Sequence, residues 1–239
     1  MRQFLLVILS CFAFAAPLRL VMTEYAPYSW QAASGEVMGI EADIVREALV
    51  RRLRLPVQME VLPWVRAQSY VEQGSADAMI AFPSERRRAY ALVSEVPVVD
   101  WSVSLFVSRQ HPRQQQLAKV RDARDLAGFS LGVTAGNNWA EERLQGLSVE
   151  RAPKPDSLLK MLVAGRIDAI PDSPIVLRYY LRELGLKDQV AEVAQLDARS
   201  LHLLISRKSP YVGILPEIDA VLRAMKVDGT LAAIVARYQ

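Results

Sequence analysis

Two short polar clusters supply charged side chains that could hold a small ligand. The first is Pro83-Ser-Glu-Arg86 and the second is Pro171-Asp-Ser173. Each ends a strand opened by a similar phrase, Gly74-Ser-Ala-Asp-Ala-Met-Ile in one case and Gly165-Arg-Ile-Asp-Ala-Ile-Pro in the other. Because ligands of open α/β sheets bind beyond the carboxyl ends of the strands, the clusters are expected to face each other across a cleft. The alternative is a chance match of two Ala-rich phrases.

A loop rich in aromatic residues offers a second candidate surface. Tyr25, Tyr28 and Trp30 lie within six residues of one another, around a proline. Rings in such a loop are costly to leave in water, and concave ligand sites are lined by rings with a few polar groups. Tyr28 and Trp30 fit equally well as core residues beneath the loop, so Tyr25 is the predicted ligand residue.

Metal, redox and nucleic-acid chemistry are not expected from the composition. The chain has one cysteine, Cys11, and two histidines, His111 and His202, too few for a structural zinc site, a disulfide or a typical Cys/His catalytic pair. Lys and Arg total 29 against 26 Asp and Glu, a formal charge of +3 without a long basic block. Nucleic acid is therefore not a predicted partner.

The N-terminus has the pattern of an export signal. Arg2 precedes an apolar run over residues 4–14 that ends in Ala13-Phe-Ala-Ala16, a small-residue cleavage pattern. The run is too short to span a bilayer as a helix. We predict a signal peptide over residues 1–15 and an exported, soluble, periplasmic product. The alternatives are a buried helix and a lipoprotein signal at Cys11, for which Leu9 is a poor fit.

The downstream pattern alternates between strands and helices. Apolar runs predict strands at 18–22, 57–62 and 76–82. Helical spacing follows from Ile40 to Leu49, and a further helix after Pro63 should end at Gly74. With 239 residues, 51% of them hydrophobic, the chain is long enough for two modest lobes. The predicted fold class is α/β, with a mostly parallel sheet flanked by helices in each lobe.

Two further strand-like runs, at 102–108 and 201–206, lie on either side of the second phrase. We interpret them as crossings between lobes that form a hinge. Lobe 1 is then predicted to comprise residues 17–105 plus 204–239, and lobe 2 residues 106–203. The loop-like stretch 109–116 is interpreted as the passage into lobe 2.

Four motifs in order give the chain a family resemblance. They are Gly39-Ile-Glu-Ala-Asp-Ile after the aromatic loop, Ser84-Glu-Arg86 followed by Val93-Ser94, Asp125-Leu-Ala-Gly128 before Leu131-Gly-Val-Thr-Ala-Gly136, and Ile167-Asp-Ala-Ile-Pro-Asp172-Ser-Pro. Together they resemble the periplasmic solute-binding proteins of family 3, the receptors of polar amino-acid ABC importers. The resemblance covers essentially the whole chain after the predicted signal. It implies a two-lobed fold that closes on an amino acid, with no cofactor and no covalent chemistry.

The resemblance also implies first-lobe ligand residues. Tyr25 and Trp64 match ring positions that pack on the ligand, and Arg86 matches the carboxylate-binding arginine, whose planar fork can donate two parallel hydrogen bonds. The family pattern has a glycine and a threonine before this arginine. Here the shorter run Ala81-Phe-Pro-Ser84 stands in their place, and Ala81, Phe82 and Ser84 are its predicted contacts.

The arginine assignment has an alternative. Counting back from Ser94 selects Arg87 instead of Arg86, and at least one residue of 86–88 must belong to a solvated helix start.

Lobe 2 contributes a turn and a carboxylate. Thr134, Gly136 and Asn137 precede a helix near residue 140, where exposed backbone N–H groups suit an anion, although simple N-capping would also explain Asn137. Asp172 matches the family's amine-binding aspartate, with helix capping before Pro174 as its competing role. Asp168 and Asp77, within the two phrases, are interpreted as structural.

The leading interpretation is a monomeric periplasmic receptor that passes an amino acid or similar solute to an ABC permease in the inner membrane. An enzyme on the same scaffold, such as a cyclohexadienyl dehydratase, would need a cleft acid. Because amine binding already explains Asp172 and no histidine lies near a motif, no catalytic residue is predicted. A ligand-sensing subunit is the third interpretation.

Overall fold

The computed structural model describes residues 16–239, so the predicted signal peptide lies outside the described residues. The strands are β1 (Leu18–Met22), β2 (Trp30–Gln31), β3 (Val37–Met38), β4 (Val57–Val61), β5 (Ala78–Ala81), β6 (Ala91–Val93), β7 (Val99–Ser108), β8 (Leu131–Thr134), β9 (Val149–Ala152), β10 (Ile170–Asp172) and β11 (Val190–Ser206). The helices are α1 (Ile40–Val45), α2 (Trp64–Gln73), α3 (Glu85–Tyr90), α4 (Gln114–Leu117), α5 (Asn138–Arg143), α6 (Pro155–Val163), α7 (Pro174–Glu183), α8 (Leu215–Val227) and α9 (Thr230–Ala236). A π-helical segment, Arg46–Arg52, continues α1, and 3-10 turns occur at Ala123–Leu126 and Val212–Ile214.

Lobe 1 is built on a sheet in which β1 pairs in parallel with both β4 and β5. On its other side β5 pairs antiparallel with β11, and β11 also pairs antiparallel with β6. The predicted helix after Pro63 ends at Gly74 in the left-handed conformation, at φ 82°. Apolar residues one and two turns apart along α1 and its continuation, including Ile40, Ile44 and Ala48, are buried against this sheet.

Lobe 2 repeats this plan with shorter strands. β8 pairs in parallel with β9, and a parallel bridge joins Leu131 to Ala169 just before β10. β10 in turn pairs antiparallel with β7. Helix α6 buries Leu158, Leu159 and Leu162 against these strands. The chain is thus a two-lobed α/β protein, as predicted.

The two lobes are joined by a long antiparallel pair, β7 and β11. Their register runs from Val190 opposite Ser108 to Leu201 opposite Val99. The run predicted at 201–206 is therefore only the end of a 17-residue strand. Residues 191–200 alternate irregularly between half-buried and exposed, and β-bulges interrupt their register. Their sequence therefore lacks the continuous apolar run that would predict a strand.

The repeated phrases occupy equivalent places in the two lobes. Asp77 exchanges backbone and side-chain hydrogen bonds with Arg19, whose N–H donates to the carboxylate at 2.8 Å. Asp168 does the same with Ser130, at 2.7 Å. Each carboxylate therefore fixes the start of the neighbouring parallel strand, which confirms the structural interpretation of both residues.

The predicted passage into lobe 2 can be compared with the structure. The loop-like stretch at 109–116 ends in the one-turn helix α4, where Leu117 is buried. No helix within residues 16–239 is long and apolar enough to cross a membrane.

Candidate functional site

The lobe 2 side of the site is a buried carboxylate. Asp172 is the last residue of β10 and is 3% exposed. It accepts hydrogen bonds from the Ser173 N–H at 2.7 Å and from the Thr134 hydroxyl at 3.5 Å. Burial raises its pKa to about 6, although the two hydrogen bonds act in the opposite direction and lower it. Among the described residues 16–239, Asp172 forms no ion pair, and its pKa is set by burial and by these two neutral hydrogen-bond donors, so a ligand cation would meet an uncompensated buried group.

The lobe 1 side is a pair of stacked tyrosines. The rings of Tyr25 and Tyr28 are nearly parallel, at 6°, with centroids 5.2 Å apart. Tyr28 is fully buried, and its hydroxyl shares a hydrogen bond of 3.0 Å with the Ser173 hydroxyl of lobe 2. Tyr25 is 39% exposed. Burial of its hydroxyl, followed by the nearby charge of Asp172, raises the pKa of Tyr25. The tyrosines therefore lie at the junction of the lobes, beside Asp172.

A close backbone approach positions this tyrosine loop. Gly39 has φ 117°, and a Cβ there would lie 2.4 Å from the Tyr28 carbonyl oxygen. The N–H groups at the start of α1 donate back to the loop, from Ile40 to Pro27 at 3.0 Å and from Glu41 to Tyr28 at 2.9 Å. Only glycine combines this φ with so little space, which explains the glycine in the first family motif.

The two candidate arginines occupy different environments. Arg87 lies with its guanidinium 4.9 Å from the Trp64 ring centroid and donates to the Phe82 carbonyl at 2.8 Å and to Gln68 at 3.1 Å. The Arg86 side chain is 82% exposed. It forms one long ion pair with Glu72, at 4.0 Å. The structure therefore brings Arg87, the alternative reached by counting back from Ser94, to the predicted aromatic residue, and leaves Arg86 in solvent.

Helix geometry explains this choice. Ser84 is the N-cap of α3, and its hydroxyl accepts from the Arg87 N–H at 3.3 Å. A side chain at this third helical position points back over the N-terminus of the helix, towards the end of β5. The capping role of Ser84 depends on the three-residue spacing from Ser84 to Arg87, which can be read from the sequence. A ligand contact by Ser84 stays a prediction.

Ala81 and Phe82 differ in what they can offer a ligand. Ala81 is buried in β5, where it pairs with His202 of β11. Phe82 packs edge-on against Trp101 of β7, with centroids 5.0 Å apart at 74°. The Arg199 guanidinium of β11 lies 5.9 Å from the centroid of the same ring. Phe82 thus packs against side chains of both crossing strands.

In the turn after β8, Asn137 caps helix α5, which is the alternative role given for it in the sequence analysis. The Asn137 side chain accepts from the Ala140 N–H at 3.1 Å. Gly136 is exposed, with φ 79°. Only Thr134 of this turn is placed next to Asp172. The structure therefore brings Thr134 and Asp172 together, while ligand contacts by Gly136 and Asn137 stay predictions.

Residues on the crossing strands complete the site, and the sequence interpretation missed them. Burial raises the pKa of Tyr25, and the nearby Trp101 side chain partly offsets that rise. Arg199 lies opposite Trp101 in the β7–β11 register and pairs with Asp197 at 2.9 Å. Asp197 also accepts the Trp139 indole N–H of lobe 2 at 2.9 Å. Only the tertiary pairing of β7 with β11 places these residues beside Tyr25 and Phe82.

The family follows from a match over residues 18–239 to the model of the bacterial extracellular solute-binding proteins, family 3. The chain belongs to this family. No curated protein matches the chain.

Solved structures show the same fold at low sequence identity. An ancestral cationic amino acid solute-binding protein aligns with a TM-score of 0.73 and 21% identity, over 93% of this chain and 95% of that one. The second substrate-binding domain of a putative amino acid ABC transporter from Streptococcus pneumoniae aligns with a TM-score of 0.69 and 19% identity, over 93% of this chain and 99% of that one. A histidine kinase sensor domain aligns with a TM-score of 0.69 and 19% identity, over 94% of this chain and 96% of that one. The family 3 member described here therefore shares its architecture with transport and sensor proteins alike.

Proposed function

We propose that this family 3 protein captures an amino acid, or a related small solute with an ammonium or guanidinium group, between its lobes. The observation that carries the proposal is Asp172, a buried carboxylate without a cationic partner among the described residues, placed beside the stacked Tyr25 and Tyr28. A cation there would donate a charge-assisted hydrogen bond to Asp172 and gain a favourable contact with an aromatic face.

Arg87 is the proposed partner of the ligand's carboxylate. Its guanidinium is held by the Phe82 carbonyl and Gln68 on one side and by Trp64 beneath it. These contacts restrict the side chain before the ligand arrives, so less conformational entropy is lost on binding. Arg87 in lobe 1 and Asp172 in lobe 2 then contact opposite ends of one ligand, which favours the closed arrangement of the lobes.

Delivery to an ABC permease after export through the predicted signal peptide is part of the proposal. The family is one of extracellular solute-binding proteins, which supports a periplasmic location. The similarity to a putative ABC transporter domain supports the transport role. The similarity to a histidine kinase sensor domain favours a second candidate function, in which ligand capture is a signal to a sensor partner.

We propose that binding is not followed by turnover. Amine binding accounts for the position of Asp172, although a pKa of about 6 would also suit a general acid. A substrate without an ammonium group, consumed in the presence of the protein, would favour the enzyme on this scaffold.

Calorimetric titration against the standard amino acids, agmatine, and matched des-amino acids tests the proposal, with product analysis of each mixture. We expect saturable binding of at least one ammonium compound, loss of that binding in Asp172→Asn, and full recovery of the unchanged ligand. The matched control is Asp156→Asn, a half-buried aspartate of α6 whose side-chain partners among the described residues are its neighbours Ser157 and Lys160. Binding restricted to acids without an ammonium group, or binding unaffected by Asp172→Asn, would overturn it.

A further inference from the structure

Helix α7 is the element that couples lobe closure to the site. It begins at Pro174, directly after Asp172 and Ser173, so any displacement of the helix also moves the buried carboxylate. Its first contact with lobe 1 is the Tyr28–Ser173 hydrogen bond.

The far half of α7 is attached to the C-terminal segment 237–239 of lobe 1. Arg178 donates to the Gln239 side chain at 3.1 Å. Arg182 donates to the backbone carbonyls of Arg237 and Gln239, at 3.2 and 3.3 Å. Two guanidinium groups of lobe 2 thus hold Arg237 and Gln239 of lobe 1.

The segment 237–239 is itself anchored within lobe 1. Asp43 accepts from the Arg237 guanidinium at 2.9 Å and from the Tyr238 hydroxyl at 2.8 Å. The Trp30 ring lies between the lobes, with its centroid 6.1 Å from Tyr238 and 6.4 Å from Tyr179 of α7. Pulling α7 away from lobe 1 would therefore break polar contacts and separate a row of three aromatic rings.

We propose that the contacts of Arg178 and Arg182 with segment 237–239 form a latch that holds the lobes closed independently of the ligand. Contacts present only in the closed form shift the open–closed equilibrium towards it. If the proposed function holds, the latch also raises apparent ligand affinity without touching the ligand, because that affinity scales with the fraction of protein in the competent form. The α7 latch would then regulate the site from its outer edge.

The latch contacts are exposed, so each one is individually weak. Removing both arginine side chains should raise the open-to-closed ratio by roughly twofold to twentyfold, in line with exposed charged contacts. Arg178 also pairs with Glu192 at 2.6 Å. Because this second pair lies between α7 and β11, Glu192→Gln disturbs Arg178 while leaving the contacts of segment 237–239 in place.

Distance measurement between spin labels in the ligand-free protein tests the latch. Val65 at the start of α2 and Lys154 before α6 are exposed positions that follow the carboxyl ends of strands in opposite lobes, at the edges of the cleft. Labels at V65C and K154C, in a Cys11→Ser background, report their separation. We expect a mainly short distance in the parent, and a larger long-distance population in Arg178→Ala/Arg182→Ala and in the charge-reversed Arg178→Glu/Arg182→Glu.

Glu192→Gln and Arg166→Ala, an exposed substitution elsewhere in lobe 2, should keep the parent distribution. Circular dichroism and thermal melting of every variant establish that it is folded before its distances are compared. Identical distributions in the parent and both double variants, or a parent that is already mainly open, would overturn the latch. The measurement uses no ligand, so its failure is distinct from failure of the proposed function.

Discussion

The ends of β5 and β10 occupy equivalent places in the two lobes but carry opposite charges, Arg87 near the end of β5 and Asp172 at the end of β10. Leu20 pairs with Ala78 in lobe 1 as Leu131 bridges to Ala169 in lobe 2, and both pairings are parallel. The aspartate before each of these alanines fixes the adjacent strand. The framework is therefore common, and the charge is determined by residues at the end of β10 and in the first turn of the helix after β5.

The two charged groups also differ in how their charge is compensated. Asp172 ends its strand and is buried with two neutral hydrogen-bond donors. Arg87 lies one helical turn beyond β5, half-buried, with a carbonyl, an amide oxygen and an indole ring already around it. A ligand should gain more binding free energy from Asp172 than from Arg87, because a buried carboxylate with no ion-pair partner among the described residues is the less compensated of the two charges.

The largest expected effect is loss of the lobe 2 charge. Asp172→Asn keeps the side-chain shape but removes the charge opposite an ammonium, which costs about 2 to 5 kcal/mol of binding free energy, or roughly thirtyfold to several thousandfold in Kd. Titration calorimetry with an amino acid and its des-amino analogue measures this. Equal weakening of both compounds would mean that Asp172 does not contact the amine.

The pH dependence of stability should follow the buried acids. Burial raises the pKa of Asp172 from 3.8 to about 6 and that of Glu41 from 4.5 to about 7. The folded state therefore holds protons that the unfolded state has lost, so the free energy of unfolding should fall as pH rises from about 4 to about 7. Asp172 alone accounts for at most about 3 kcal/mol of this fall.

Urea unfolding of the ligand-free protein across this pH range provides the measurement. Asp172→Asn should flatten the decline below pH 6, and Glu41→Gln should flatten the part that extends to pH 7. A decline with the same slope in both variants would assign it to other groups.

A smaller effect is expected from the lobe 1 cation. Arg87→Ala should weaken a ligand carrying a carboxylate by roughly tenfold to a hundredfold, about 1.5 to 3 kcal/mol for a hydrogen bond to a charged group. Arg86→Ala is the matched control and should change Kd less than twofold, since its side chain is exposed. A larger loss in Arg86→Ala would restore the motif-based assignment.

The smallest differences should lie within the shared framework. Asp77→Asn and Asp168→Asn each weaken a hydrogen bond to a backbone N–H. Each also disturbs side-chain partners, which are Ser209 for Asp77 and His111 and Arg113 for Asp168. Each substitution should cost about 1 to 2 kcal/mol of unfolding free energy. Chemical denaturation of both variants compares the lobes directly. If one substitution were neutral and the other severe, the two phrases would not be equivalent structural elements.

Local features of the chain could be predicted because their causes are local. The apolar run at 18–22 coincides with β1, and Pro63 and Gly74 bound α2 as expected from turn and capping preferences. The two phrases and the ordered motifs placed Asp172 at a strand end in lobe 2. Such features depend on neighbours within a few residues, which a sequence displays directly.

Tertiary structure decided which side chains meet. The choice of Arg87 over Arg86 depends on where Ser84 caps α3, and the contact of Tyr28 with Ser173 joins residues 145 positions apart. Trp101 and Arg199 reach the site only because β7 and β11 pair along their length. The sequence alone determined the family, the strand and helix pattern and the residue types available to the site. Their partners were decided by packing between distant segments, because long-range contacts depend on how whole elements fit together and not on any local pattern.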